Sequence, residues 1–268
     1  MTPRRRAFAD SKPALAPGAS KSYSLPFPMP DLVAITGAAG ALGSEVARHL
    51  VARGYRAVLL GSSRSAGDLH ALARSLDAAF AVEADVATKA GWDKALEAIQ
   101  REAGSLPSHA VLVAGGWQGG KPLHDVADAS HDAVWSAMIE SNLETVHQSL
   151  RALLPDMVAR GRGSIVVIGS RVVERPWTGA GAAAYAASKA AAVELAQVAA
   201  AEVLDKGVRI NAVLPSTLAT AANLRNNPAV DASRLVSTSS AAAVIAFLLS
   251  DDARDVSGAA IPLYGRTE

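Results

Sequence analysis

The strongest constraint on this chain is an alternation. From Asp31 onward, short runs rich in Val, Ile, Leu and Ala give way repeatedly to longer stretches with helical spacing. The short runs fall at residues 32–36, 57–60, 79–83, 110–114, 164–168, 209–213 and 259–263. Helical patterns occupy 41–53, 68–76, 89–103, 130–160, 182–206 and 239–250. Apolar strands separated by helices predict parallel strands joined by right-handed crossovers, with both sheet faces covered. The expected fold is therefore an α/β, doubly wound parallel sheet. Sheets of this kind bind ligands beyond the carboxyl ends of their strands, so chemistry is sought there.

Composition narrows the function classes. Of 268 residues half are hydrophobic and 19% charged, enough for a large core and too apolar for wholesale disorder. The 26 basic residues against 25 acidic ones give a net charge of +1, which argues against nucleic acid as partner. With no cysteine there are no disulfides, thiolate nucleophiles or Cys-ligated metals. Residues 1–30 differ from the rest: Arg4, Arg5 and Arg6 precede Pro13, Pro17, Pro26, Pro28 and Pro30, without an apolar run. They read as a disordered extension rather than a secretory signal, leaving 31–268 as one domain. The longest apolar stretch, 179–201, is interrupted by Ser188, Lys189, Glu194 and Gln197, so no membrane span is expected and a cytoplasmic location is.

The first strand runs into Thr36, Gly37, Ala38, Ala39, Gly40, Ala41, Leu42 and Gly43, and a helix follows. Glycines at 37, 40 and 43 permit a tight turn and a close backbone approach, and the helix start offers free N–H groups to a pyrophosphate. The second strand ends in Ser62, Ser63 and Arg64, with no acid to accept from ribose hydroxyls. Two hydroxyls and a guanidinium suit a 2′-phosphate, which favours NADP over NAD.

Tyr185 and Lys189 stand four residues apart on the alanine-rich helix, hence on one face. A phenol of pKa about 10 needs a shift of about 2–3 units, roughly 3–4 kcal/mol, to shuttle protons near neutrality. One cation about 5 Å away at an effective permittivity near 20 supplies about 3 kcal/mol.

Together with Asp85 and Val86 after the third strand, Ala114 and Gly115 after the fourth, and Asn142, Ser170 and Pro215, these residues make the chain resemble a short-chain dehydrogenase/reductase across 31–265. The resemblance implies a single Rossmann-type domain and hydride transfer between a nicotinamide and a carbonyl or alcohol carbon. It implies Tyr185 as proton donor or acceptor, Ser170 as hydrogen-bonding partner of the substrate oxygen, and Lys189 as ribose ligand and as the cation that lowers the Tyr185 pKa. Asn142 would anchor a proton relay; Asp85 would meet the adenine, and Thr220 the nicotinamide end. Thr36, Gly37, Gly40, Leu42, Gly43, Val86, Ala114, Gly115 and Pro215 would line the coenzyme. The family also implies a homodimer or homotetramer, with Ala190, Ala191, Ala199 and Ala200 expected to let a partner helix approach closely.

The chain departs from the family pattern in places. Ala41 takes a usual glycine position, an Asn before Ala114 is missing, Ser216 replaces the glycine after Pro215, and two extra residues separate Ser170 from Tyr185. The stretch from Ala114 to Gly120, containing Trp117, is similar to a loop of dihydropteridine reductases, which makes reduction of a pterin or quinonoid ring the alternative reading. Trp117 and Trp177 are candidate substrate contacts. A non-catalytic dinucleotide sensor is a further alternative. No H-x-x-x-H, H-E-x-x-H or G-x-S-x-G occurs, so neither metal catalysis nor serine hydrolysis is expected.

Overall fold

The structure is a computed structural model and describes residues 31–125 and 130–267; the predicted N-terminal extension lies outside the described residues. Seven strands form one parallel sheet in the order β3-β2-β1-β4-β5-β6-β7. They are β1 (Leu32–Thr36), β2 (Arg56–Gly61), β3 (Ala79–Glu83), β4 (His109–Leu112), β5 (Gly163–Ile168), β6 (Val208–Pro215) and β7 (Ala260–Leu263). Helices α1 (Ala41–Val51), α2 (Ala66–Arg74), α3 (Lys89–Ala103), α4 (His131–Met138), α5 (Thr145–Arg160), α6 (Ala183–Glu202), α7 (Ala221–Asn226) and α8 (Thr238–Leu249) connect them.

The strands read as continuous apolar runs because each face meets its own helices. Ala34, Val58, Leu60, Ala110, Leu112, Ile165 and Val167 share one core with α3, α5 and α6 residues such as Trp92, Leu150 and Val193. Their strand neighbours Val33, Ile35, Ala57, Leu59, Val111 and Val166 share the other core with α1, α2 and α8. Successive side chains point to opposite faces, so a strand covered on both sides is apolar at most positions, and the polar residues it keeps inside, such as Ser164 and Asn211, are hydrogen-bonded. Strand order reverses between β1 and β4, and their carboxyl ends part there to open a crevice.

Several expected elements end elsewhere, for local reasons. β4 stops at Leu112 instead of residue 114. Beyond it the Ala114 N–H donates to Thr36 Oγ1 at 3.1 Å, and the Gly116 N–H donates to Asn142 Oδ1 at 3.0 Å, so side chains take the groups a ladder would use. The helix expected over 130–160 is not continuous. A π-helical turn, Ile139–Glu144, separates α4 from α5, and Asn142 sits in it. Hydroxyls within and just after that turn return to the backbone, from Ser141 Oγ to the Ala137 carbonyl at 2.7 Å and from Thr145 Oγ1 to the Ser141 carbonyl at 2.8 Å. Such turns interrupt helices mostly at functional positions. Short α7, capped by the Thr220 hydroxyl, was not legible as a helix.

The expected partner face of α6 is also corrected. Ala199 and Ala200 are buried in this chain's own core, and the outward side is carried instead by Ala187, Ala190, Glu194, Val198 and Ala201.

Close packing at the mouth of the crevice is testable at Gly43. A Cβ there would lie 2.3 Å from the Gly37 carbonyl oxygen, and neither backbone can yield without moving the glycine turn. Gly43→Ala should therefore lose about 1–3 kcal/mol in urea denaturation. An unchanged unfolding midpoint would contradict this packing.

Candidate active site

The glycine turn and the end of β4 meet at the crevice. Gly37 has φ 63, and a Cβ on it would lie 2.9 Å from both N and Cα of Ala114. Only a glycine allows this approach, because other residues rarely hold that conformation and have no room for it here. Gly40 is the N-cap of α1 and supplies no side-chain cap; the first turn of that helix contains no acid. The leading N–H groups of α1, at Ala41, Leu42 and Gly43, are therefore free to receive an anion, and Leu42 and Gly43 are themselves packed against the core. This is the cradle a dinucleotide pyrophosphate requires, so the residues present fit such a cofactor.

The remaining predicted cofactor residues lie along the same edge. Ser62 precedes a 3₁₀ turn, Ser63–Ser65, that places Ser63 and Arg64 at the surface beyond β2. Asp85 follows β3; its Oδ1 accepts from the Ala87 N–H at 3.1 Å, and its carbonyl accepts from the Thr88 hydroxyl at 3.1 Å. Val86 is buried, and its carbonyl accepts from the Trp92 indole at 3.2 Å. Pro215 ends β6, and Thr220 Oγ1 accepts from the Asn223 N–H at 3.2 Å.

The polar residues at the centre are tied together by one carboxamide. Asn142 is fully buried. Its Oδ1 accepts from the Gly116 N–H at 3.0 Å, while its Nδ2 donates to the Gly116 carbonyl at 3.1 Å and to Ser188 Oγ at 3.1 Å. Ser188 in turn donates to the Tyr185 carbonyl at 2.9 Å. The amide thus joins the chain after β4 to the first turn of α6, which bears Tyr185 and Lys189. Ser188 is a link in this network that sequence reasoning missed; its signal was a hydroxyl, buried here, on an alanine-rich helix.

Lys189 is buried, and its Nζ donates to the Ile168 carbonyl at 2.8 Å. A Cβ on Gly115 would come within 3.2 Å of that Nζ and 2.6 Å of Asn142 Oδ1, so both groups line the space beside Gly115. Burial lowers the Lys189 pKa from 10.5 to about 8. Tyr185 moves the other way. Burial raises its phenol above the ordinary value, and the Ser170 hydroxyl beside it pulls it partly back. The expected lowering by Lys189 is therefore corrected: desolvation dominates, and the opposing pull on the phenol comes from Ser170. Ser170 is buried and also accepts from the Val172 N–H at 3.5 Å.

The two tryptophans separate. Trp117 lines a cavity of about 790 Å³ together with Lys121, His131 and Trp135 and with Gly181 and Ala184 at the start of α6. Trp177 is 71% exposed in the 3₁₀ turn Pro176–Gly179 and does not border that cavity. Trp135, half exposed on α4, is a wall residue that sequence reading passed over. Among the described residues no cluster of His, Cys, Asp or Glu could hold a metal ion, and no helix is long and apolar enough to cross a membrane.

A parallel sheet with a glycine turn at its switch point and these side chains at its mouth is a Rossmann-type α/β domain. Comparison with known proteins gives the family. The family model described as short chain dehydrogenase matches residues 31–231. A galactitol 2-dehydrogenase (L-tagatose-forming) of Cereibacter sphaeroides is 34% identical, over 87% of this chain and 92% of its own. A 3-oxoacyl-(acyl-carrier-protein) reductase of Escherichia coli is 29% identical, over 86% and 94%. A crystal structure of an oxidoreductase of the short chain dehydrogenase/reductase family from Burkholderia thailandensis superposes with a TM-score of 0.75 at 31% identity, covering 88% of this chain and 92% of that one. The chain belongs to the short-chain dehydrogenase/reductase family, whose members are nicotinamide-dependent oxidoreductases.

Lys189 makes stability depend on pH in a definite sense. Below about pH 8 the amine is charged in both folded and unfolded chains, and the cost of burying it stands in full. Between about 8 and 10.5 the native lysine releases its proton while the unfolded chain keeps it, so stability rises with pH, by about 3 kcal/mol when complete. Urea denaturation from pH 7.5 to 10 should show wild type gaining on Lys189→Met. A constant difference would contradict a lowered pKa.

Proposed function

We propose that this protein is an NADP(H)-dependent reductase or dehydrogenase that interconverts a carbonyl and an alcohol on a small organic substrate. The observation that carries the reading is the gathering of Tyr185, Ser170 and Lys189 around the Asn142 clamp at the carboxyl edge of the sheet. When bound, the nicotinamide supplies or accepts the hydride. The chain's own residues do the rest. The uncapped start of α1 receives the pyrophosphate, and the Gly37–Ala114 contact leaves the backbone close beside it. Ser170 offers its hydroxyl to the substrate oxygen and orients it toward Tyr185. Tyr185 gives its hydroxyl proton to that oxygen in reduction and takes one back in oxidation.

Burial serves this chemistry. A phenol pushed upward is held protonated, ready to donate, while an ammonium titrating at about 8 surrenders a proton readily. Lys189, one helical turn along, holds the ribose and balances charge that appears on the phenol oxygen. Asn142, with every polar atom of its amide engaged, keeps the chain after β4 and the start of α6 in register.

For the coenzyme, NADP is supported by the exposed Arg64 beside Ser62 and Ser63 and by the lack of an acid at the end of β2. Reduction of a flat pterin or quinonoid ring is the second reading, favoured by Trp117 and Trp135 on the cavity beside α6. A sensor that binds dinucleotide without turnover has no use for a buried ammonium beside a proton-donating phenol. The outward alanines of α6 support assembly into a homodimer or homotetramer, and a cytoplasmic setting goes with this reading.

NADPH oxidation with diketones, β-ketoacyl thioesters, quinones and quinonoid pterins tests the activity; tight coenzyme binding with no turnover on any of them would favour the sensor. Coenzyme choice is tested by Arg64→Ala. Loss of one charge-assisted contact should raise the KM for NADPH about 10- to 100-fold and leave that for NADH nearly unchanged. Equal effects on both coenzymes would remove Arg64 from the 2′-phosphate.

A further inference from the structure

The residues that follow β7 are not a loose end. Tyr264 Oη donates to Glu174 Oε2 at 2.5 Å, and the Arg175 guanidinium lies 4.8 Å from the centre of the Tyr264 ring. Three residues on, Thr267 Oγ1 accepts from Arg171 Nη1 at 3.3 Å. The single proton of that hydroxyl is shared between the Tyr264 carbonyl at 2.7 Å and Ser216 Oγ at 3.0 Å. Ser216 itself donates to the Tyr264 carbonyl at 2.9 Å, and the Arg266 N–H donates to the Arg234 carbonyl at 2.8 Å. Tyr264, Arg266 and Thr267 therefore touch three separate stretches: 171–175, 216 and 234.

Two of these stretches adjoin the reacting groups directly. Residues 171–175 form the turn that follows Ser170, and Ser170 is built into that turn. Its hydroxyl accepts from the Val172 N–H and its carbonyl accepts from the Val173 N–H at 3.1 Å, while the Arg175 N–H closes the turn on the Arg171 carbonyl at 2.9 Å. A rotation of the turn therefore moves the Ser170 hydroxyl. Ser216 follows Pro215, which ends β6 at the coenzyme side. Arg171, Glu174 and Arg175 on one loop and Ser216 on the other have their common anchor in Tyr264 and Thr267.

We propose that Tyr264 and Thr267 are positioning residues: they strap the turn after Ser170 to the segment after Pro215 and so set where the Ser170 hydroxyl stands relative to Tyr185. The inference rests on the reading of Ser170 as the group that orients the substrate oxygen. The strap's two own side-chain donors, the Tyr264 phenol and the Thr267 hydroxyl, are neutral. Burial and the neighbouring Glu174 carboxylate raise the Tyr264 phenol to about 12, so it remains a donor throughout. Because the strap touches neither reactant, its loss should appear in the rate of the chemical step and leave coenzyme binding alone.

The test uses the full chain with a substrate on which wild type is active; absence of any wild-type turnover would count against the proposed function instead. Tyr264→Phe keeps the ring against Arg175 and removes only the hydroxyl, and Thr267→Val keeps the shape and removes the bridge. For the double variant kcat at saturating NADPH should fall about tenfold, with the NADPH dissociation constant within twofold of wild type and the thermal midpoint little changed. Thr267→Ser, which restores the hydroxyl, should return the Thr267→Val rate to within twofold of wild type. An unchanged kcat in the double variant would overturn the proposal. So would a parallel loss of kcat, NADPH affinity and thermal stability that Thr267→Ser does not repair, since that is the signature of a merely structural segment.

Discussion

The site depends on one buried carboxamide. Asn142 spends both faces of its amide on the backbone of Gly116 and its remaining N–H on Ser188, and no water reaches it. A buried amide left without partners costs several kcal/mol, so this set of bonds admits one arrangement and penalises others steeply. Through it the chain leaving β4, the π-helical turn and the head of α6 become a single rigid piece. Tyr185 and Lys189 are held on that piece, and the space beside Gly115 is defined by it. The π turn is the structural cost of bringing an asparagine from a helix to a loop backbone.

Burial also decides the electrostatics. A simple Coulomb argument gives a lysine about 5 Å away enough strength to pull a tyrosine toward neutrality. In the folded chain desolvation acts on both groups first: it raises the phenol and lowers the ammonium to about 8. The two groups are therefore tuned by the same dry environment rather than by each other, and the Ser170 hydroxyl supplies the opposing pull on the phenol. Such an environment lets a single hydrogen bond or charge count for more than it would in water.

Much of this was legible in the chain because it depends on local rules. Strand runs such as 32–36 and 79–83 stand where β-branched and apolar residues predicted them, and Gly37 and Gly43 mark a turn in which a side chain has no room. Spacing alone placed Tyr185 and Lys189 on one face. What escaped were features made by contacts distant in sequence. Nothing near residue 114 announces that Thr36 and Asn142 will take the backbone bonds that end β4 early. Nothing around Ser130 or Arg160 announces a π turn between them. Ala199 and Ala200 look like contact residues for a partner helix until the packing of α6 on its own sheet shows them inside. Ser188 and Trp135 matter only through neighbours that the fold brings to them.

The central claim is that the Tyr185 hydroxyl transfers the proton that accompanies hydride exchange, on a scaffold that binds the coenzyme independently. Steady-state turnover of Tyr185→Phe, measured alongside its NADPH dissociation constant, tests this most directly. The account predicts a fall in kcat of about 10²- to 10⁴-fold, the usual contribution of a positioned general acid, with coenzyme affinity nearly intact. A variant that kept the wild-type rate would contradict it.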